Sequence, residues 1–280
     1  MELKVCQAPG ELALERQGPL RRAFKAALVN PLANYLPAGF LRGLLKFGKS
    51  RLAQANWKDP GGWESMVISY DGQPTQIADK LLVSGGAISM ALRNRRKLGA
   101  CLIAQQIEQA AQSPVHVLCL GAGPGHIIMD AMVQAKGLSH ATLVDLSSEA
   151  FEYGLSLARR QGLADRVHYI QADIRQVNDY MDNPPQVVKM LGICEYLTDQ
   201  QVVSVASAAA ALMPAGSPII FNSLTHAHGN DRFFRRVFGL KMIHRSAGAL
   251  CELMAQAGLG DFEVYTEPLR VYDVIVGRRR

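Results

Sequence analysis

The chain has 280 residues, 49% hydrophobic and 19% charged, a composition that excludes a disordered or low-complexity protein and suits one large globular α/β domain with an appendage. Its net charge is +6 and its isoelectric point about 9.1, but apart from residues 93–97 and 278–280 the Lys and Arg are scattered, so no nucleic-acid partner is expected. Cys6, Cys101, Cys119, Cys194 and Cys251 are odd in number and far apart, which argues against a disulfide framework or zinc knuckle and for a reducing, cytoplasmic setting. No N-terminal stretch has a signal-peptide layout, and no apolar run reaches about 18 residues, the length of a membrane span.

Residues 1 to about 60 read as helical. Leu20, Phe24, Ala27 and Leu28, then Phe40, Leu41, Leu44, Leu45 and Phe47, make apolar faces broken at Pro31 and Pro37. Arg21, Arg22, Lys25, Arg42, Lys46, Lys49 and Arg51 make these faces partly basic, which also suits a membrane surface. Packing of the helices on the rest of the chain is the preferred expectation. Asp59-Pro60-Gly61-Gly62 and Asp71-Gly72-Gln73-Pro74 are turns around a compact element at 63–70. A helix runs from Pro74 to Leu82, Gly85-Gly86 interrupts it, and a long helix covers about 87–112. The expected organisation is a helical cap or lid over 1–86 and an α/β domain over 87–280.

The stretch 115–145 is the most informative. Val115, Val117, Leu118 and Leu120 form a short apolar run that suits a strand buried on both faces of a parallel sheet. Gly121, Gly123 and Gly125 then give a GxGxG turn, stiffened by Pro124, where missing Cβ atoms let a ligand approach the backbone. Ile127, Ile128, Ala131, Met132 and Ala135 follow at helical spacing. The next strand ends at Asp145, 20 residues beyond Gly125, where a carboxylate can accept ribose hydroxyls. A helix starts at Ser147-Ser148-Glu149 and stops at Gly162, and a third strand over 167–172 runs into Asp173 and Ile174. A cap on a helix through Tyr180 is one reading of Asp173.

The segments LCLGAGPG, LVDLS and IQADI resemble the successive binding motifs of class I S-adenosylmethionine-dependent methyltransferases, over about residue 114 to the C-terminus. That resemblance implies a Rossmann-like fold, with a mainly parallel seven-stranded sheet and an antiparallel terminal strand. It implies S-adenosylmethionine as methyl donor or as substrate. It further implies cofactor contacts from Gly121, Ala122, Gly123, Gly125, Asp145, Leu146 and Gly192, with Asp173 accepting the adenine amine and Ile174 packing on the ring. Nicotinamide enzymes fit less well, because their GxGxxG spacing is not met here.

A fourth strand over 187–191 ends in residues 192–197, at the carboxyl edge where ligands of open α/β sheets sit, so residues 192–196 should line the methionine end of the pocket. A helix over 200–213 and a strand over 219–222 bring Asn222 and Ser223 beside it. Phe233, Phe234, Val237 and Phe238, with Leu240 and Met242, form a pocket wall or simply core, the wall being preferred. A helix over 246–257 and strands at 262–266 and 271–276 finish the fold. The phrase MIHRSAGALCELMAQAGL resembles the corresponding helix in methyltransferases with helical N-termini.

S-adenosylmethionine is already activated, so few catalytic groups are required beyond those that hold a nucleophile in line and keep water away. Tyr196 is the first candidate, its face offering cation–π contact to a sulfonium; packing at a strand end is the alternative. Glu195 is a candidate base or amine ligand, and Asn222 and His226 are candidates to position an acceptor. His226 and His228 lack partners at metal-ligand spacing, so no metal is expected. The resemblance implies methylation of a small molecule, of the kind met in secondary metabolism. Two other classes stay open. Azetidine-2-carboxylate synthases are similar in having this fold with a helical lid, and cyclise the methionine chain with release of methylthioadenosine; a non-catalytic cofactor-binding domain is the other class.

Overall fold

The computed structural model describes residues 3–10, 12–179, 181 and 183–280. The chain begins with a short strand, β1 (Lys4–Cys6), which departs from the all-helical expectation for this region. Three residues carry no periodicity of their own, and the strand is specified by its partner: it pairs in parallel with residues 263–265, and Lys4 Nζ meets the Glu263 carboxylate at 2.6 Å.

Helix α1 (Pro19–Phe24) passes through a π turn (Lys25–Val29) into α2 (Asn30–Tyr35). Pro31 therefore does not break the helix. Its missing N–H removes one bond to the preceding turn, and the wider π turn before it relieves the clash of its ring with the preceding carbonyls. Pro37 does separate α2 from α3 (Ala38–Phe47), which is followed by α4 (Arg51–Lys58). Ser50 caps α4, accepting from Ala53 N, while donating to Asp79 Oδ1 at 2.5 Å; Asp79 Oδ2 accepts from Arg51 N at 2.7 Å. This buried carboxylate pins α4 to α6 (Ile77–Asp79), with α5 (Trp63–Asp71) between them in sequence and a π turn, Lys80–Ser84, after. The long α7 (Ala87–Gln109) leads to the sheet.

There, β2 (Val115–Leu120), α8 (His126–Gln134), β3 (Ser139–Asp145), α9 (Ser148–Arg160), β4 (Val167–Gln171), β5 (Val187–Met190), α10 (Asp199–Leu212) and β6 (Pro218–Leu224) alternate. The short α11 (Asp231–Phe233), then α12 (Ala247–Gln256), β7 (Leu259–Thr266) and β8 (Tyr272–Arg279) follow. The sheet has eight strands in the order β1-β7-β8-β6-β5-β2-β3-β4, one more than expected because β1 joins its edge. All pairings are parallel except those of β8 with β6 and β7. After β4 the chain makes a 3₁₀ turn, Ile174–Asp179, in place of the expected longer helix, whose end at Tyr180 lies outside the described residues.

Leu102, Ile103, Ile128 and Met129 fill the side of the sheet under α7 and α8. Val202, Val205, Met190 and Phe262 fill the side under α10 and α12. A third cluster joins Ala53 and Leu92 to Phe233, Phe234, Val237 and Phe238, and it packs α4 and the start of α7 against the segment after β6. The strand order reverses between β3 and β5 on either side of β2, which places a crevice at those ends.

Candidate active site

The loop after β2 carries Gly121, Gly123 and Gly125 at φ of 59°, 53° and 87°. All three lie in the left-handed region where a Cβ is disfavoured. They differ in what they face: a Cβ on Gly121 would overlap Ile193 and one on Gly125 would overlap Leu143, whereas at Gly123 the nearest atom is Trp63 Cβ at 3.7 Å. Gly123 is thus the open point of the loop. Asp145 Oδ2 accepts the Gly123 N–H at 2.7 Å and its Oδ1 accepts the Ser147 N–H at 3.1 Å, so this carboxylate at the end of β3 locks the loop.

A cavity of about 270 Å³ opens over this loop and is lined by residues 121–125, Asp145, Gly192, Ile193, Glu195 and Tyr196 below. Asn56, Trp63, Met66 and Tyr70 line it from α4 and α5, and Phe234, Phe238, Leu240 and Met242 close one side. The phenylalanines therefore serve both as core and as wall. The roof is held to the floor by aromatic contacts: Trp63 lies 5.4 Å from the Tyr153 ring, and Tyr70 lies 5.7 Å from His126. Burial, with Arg96 and Arg160 nearby, pushes the His126 imidazole down to about 4, so it is neutral at ordinary pH.

Two buried basic side chains, Arg95 and Lys189, face the cavity. Arg95 Nη1 donates to Glu195 Oε1 at 3.0 Å with both side chains 3% exposed, and the guanidinium lies 4.6 Å from the Tyr272 ring centroid. Asn222 donates to Glu195 Oε2 at 3.4 Å and accepts the Gly192 N–H at 2.7 Å. Lys189, in the middle of β5, is buried, and its Nζ donates to Gly121 O at 3.3 Å. Desolvation lowers the Lys189 pKa, and Cys119, Asp145 and Glu195 partly offset it. Sequence reasoning missed both side chains. The signals were a lysine inside the apolar run Val187-Val188-Lys189-Met190 and an arginine within a helix otherwise buried on that side.

The other sequence candidates are distributed as follows. Ala122 lines the cavity with the glycines. Tyr196 lines it at the seam with the cap: a Cβ on Gly61 would stand 2.6 Å from its hydroxyl, and burial at that hydroxyl raises its pKa although 39% of the residue is exposed. Asn222 reaches the cavity only through Gly192 and Glu195. His226 stacks on His244 at 3.8 Å, in the loop after β6 and away from the cavity lining. Leu146 is exposed. Asp173 accepts the Arg175 N–H at 2.9 Å and binds its guanidinium, which lowers the Asp173 pKa; neither it nor Ile174 lines the cavity.

His228 and His244 form a defined chain rather than a metal pair. Asn230 N donates to His228 Nδ1, so His228 carries its proton on Nε2 and donates it to His244 Nε2 at 3.0 Å. Among the described residues no group of three or more His, Cys, Asp or Glu is placed to hold a metal ion.

Residues 117–216 match the family described as a methyltransferase domain. No curated protein matches the chain. Among solved structures, one of a possible exported protein from Bordetella parapertussis is similar, at 14% identity, covering 78% of this chain and 79% of that one with a TM-score of 0.67. The mitomycin 7-O-methyltransferase is similar at 18% identity over 83% of this chain and 71% of its own, TM-score 0.54. An O-methyltransferase family 2 protein from Planctomyces limnophilus, solved with apigenin, is similar at 11% identity over 74% and 70%, TM-score 0.53. Residues 117–216 thus carry a methyltransferase domain, and the strand order with the glycine loop closed on Asp145 gives the chain the class I methyltransferase fold; domain and fold together support an enzyme of the S-adenosylmethionine-dependent transferase type.

Proposed function

We propose that the protein transfers the methyl group of S-adenosylmethionine to a small-molecule acceptor held under the helical cap. The observation that carries this reading is a cavity that joins the glycine loop and Asp145 to the roof from α4 and α5. The residues present fit the cofactor: Gly123 leaves the loop backbone open to the cavity, and Lys189 offers a buried amine that donates to a backbone carbonyl. Asp145 would accept the ribose hydroxyls and the loop at 121–125 would take the amino-acid end. Lys189 would oppose the carboxylate, which raises its pKa and keeps it charged. Asp173 and Ile174 are assigned to the adenine, and Leu146 to the cofactor, by resemblance alone, since none of the three lines the cavity. When bound, S-adenosylmethionine supplies an electrophilic methyl carbon on a sulfonium.

The chain's own groups then have positional tasks. Tyr196 presents its ring at the seam beside Gly192, and Trp63 and Tyr70 exclude water. Glu195 is already engaged by Arg95 and Asn222, so it orients Gly192 and Arg95 rather than removing a proton. His226 enters no step of this scheme. The wall of Phe234, Phe238, Leu240 and Met242 favours an apolar, planar acceptor, as in secondary metabolism. Cys119, Cys194 and Cys251 are buried thiols, which supports the cytoplasm as its compartment.

The closed roof also supports a second reading, intramolecular cyclisation to azetidine-2-carboxylate and methylthioadenosine, which needs no acceptor. Incubation with S-adenosylmethionine alone, with product analysis, separates the two. Methyl transfer predicts no turnover until an acceptor is added and adenosylhomocysteine thereafter; methylthioadenosine with a cyclic amino acid overturns it in favour of cyclisation.

A further inference from the structure

The cap carries a surface that the enzyme reading does not use. Between residues 16 and 58 the sequence holds nine Lys and Arg and no Asp or Glu. Helices α1 to α3 have no buried residue. They are tied to the rest of the molecule mainly at the segment after β6: Asn34 donates to Gly229 O and accepts from Arg232, Phe233 and Arg236, Arg42 donates to the carbonyls of Arg236 and Val237, and the Arg232 guanidinium lies 5.0 Å from the Tyr35 ring centroid. The expected packing of these faces on the core is met by Ala33, Leu41 and Leu45, whereas Leu20, Phe24, Leu28, Phe40, Leu44 and Phe47 are exposed.

Those outward residues are ordered. Leu20, Phe24, Leu28, Leu32 and Tyr35 follow at spacings of four, four, four and three, so they form one stripe along the continuous α1–α2 helix. Leu20 is 86% exposed and Tyr35 71%. Phe40, Leu44 and Phe47 form a second stripe on α3, Phe47 being 89% exposed. The contact of Gly48 with Ala78 brings exposed Ile77 to the end of that stripe, and the contact of Arg21 with Gly85 brings exposed Leu81 near the start of the first. Arg16, Arg22, Lys49 and Arg51 stand exposed around these stripes.

We infer that this face of the cap docks on an anionic lipid bilayer, with the apolar stripes entering the headgroup boundary and the cations facing acidic headgroups. Charge decides the occupant. A second copy joined face to face by a two-fold axis would set helices that carry nine basic and no acidic residues over 16–58 against themselves, which is repulsive, whereas an anionic bilayer is complementary to them. Among the described residues no helix is long and apolar enough to cross a membrane, so the association is with the surface.

Co-sedimentation of the full chain with phosphatidylcholine vesicles, with and without about a third phosphatidylglycerol, tests this. The expected result is binding to the anionic vesicles about tenfold or more above the neutral ones, weakened by salt. F24S/F47S and R22E/K49E should each lower it by about tenfold while leaving thermal stability and S-adenosylhomocysteine binding unchanged, since none of these residues lines the cavity. Equal partition to both vesicles, no binding to either, or undiminished binding by F24S/F47S overturns the inference. So does a wild-type dimer that F24S/F47S dissociates, which would make a second copy the occupant. None of these outcomes depends on which reaction the cavity supports.

Discussion

Asp145 receives the Gly123 and Ser147 N–H groups, so its removal affects both the empty loop and any ribose bound to it. Asp145→Ala should weaken S-adenosylhomocysteine by about 1–3 kcal/mol, read by calorimetry, with a smaller loss of thermal stability from the freed loop amides. Unchanged affinity would remove the ribose assignment. At Lys189 the two effects separate. Lys189→Met fills the same volume without burying an amine, so the protein should be as stable as the parent or more so, while affinity for the carboxylate-bearing ligand falls about tenfold. Glu195→Ala does the reverse of relief, because Arg95 is left buried without its counter-charge; a stability loss of about 3–5 kcal/mol is expected in denaturant titration.

At the scale of elements, the cap matters through contacts of α4 and α5 rather than through its length. Trp63 covers the open point of the glycine loop and packs at a tilt against the Tyr153 ring. Trp63→Ala should lower turnover by about ten- to a hundredfold with a well-folded protein, because the roof no longer excludes water or fixes the acceptor. Unchanged turnover would mean that the cap does not act as a lid. The unit from β2 to Asp145 was legible in the sequence because each part is locally determined: an apolar run, glycines that tolerate positive φ, a helix face, and a carboxylate at a strand end. Strand β1 was not legible, since its partner lies about 260 residues away and three residues set no period. The Arg95–Glu195 pair spans 100 residues, and only the fold brings it together. Pro31 misled because a proline usually ends a helix, whereas here the wider π turn before it carries the helix past the ring.

Across the whole molecule, buried histidines set the response to acid. Burial pushes His116 and His126 down to about 4 and His228 down to about 3, the last also through His244. Each folded value lies below the unfolded one of about 6.5, so between these values the unfolded chain binds more protons. Stability is therefore complete above about pH 6.5 and falls as pH drops towards 4, by on the order of 1–3 kcal/mol per histidine. Because His228 belongs to the loop on which α2 rests, its replacement by Gln should flatten the lower part of that profile, which thermal melts across the range would record.

The central claim is that one cavity, built from the glycine loop, Asp145 and Lys189 and roofed by the cap, binds S-adenosylmethionine. Titration calorimetry of the full chain with S-adenosylhomocysteine tests it most directly. The account predicts saturable one-to-one binding in the parent, weakened separately by Asp145→Ala and Lys189→Met. Absence of binding in the folded parent, or binding that neither substitution alters, would contradict it.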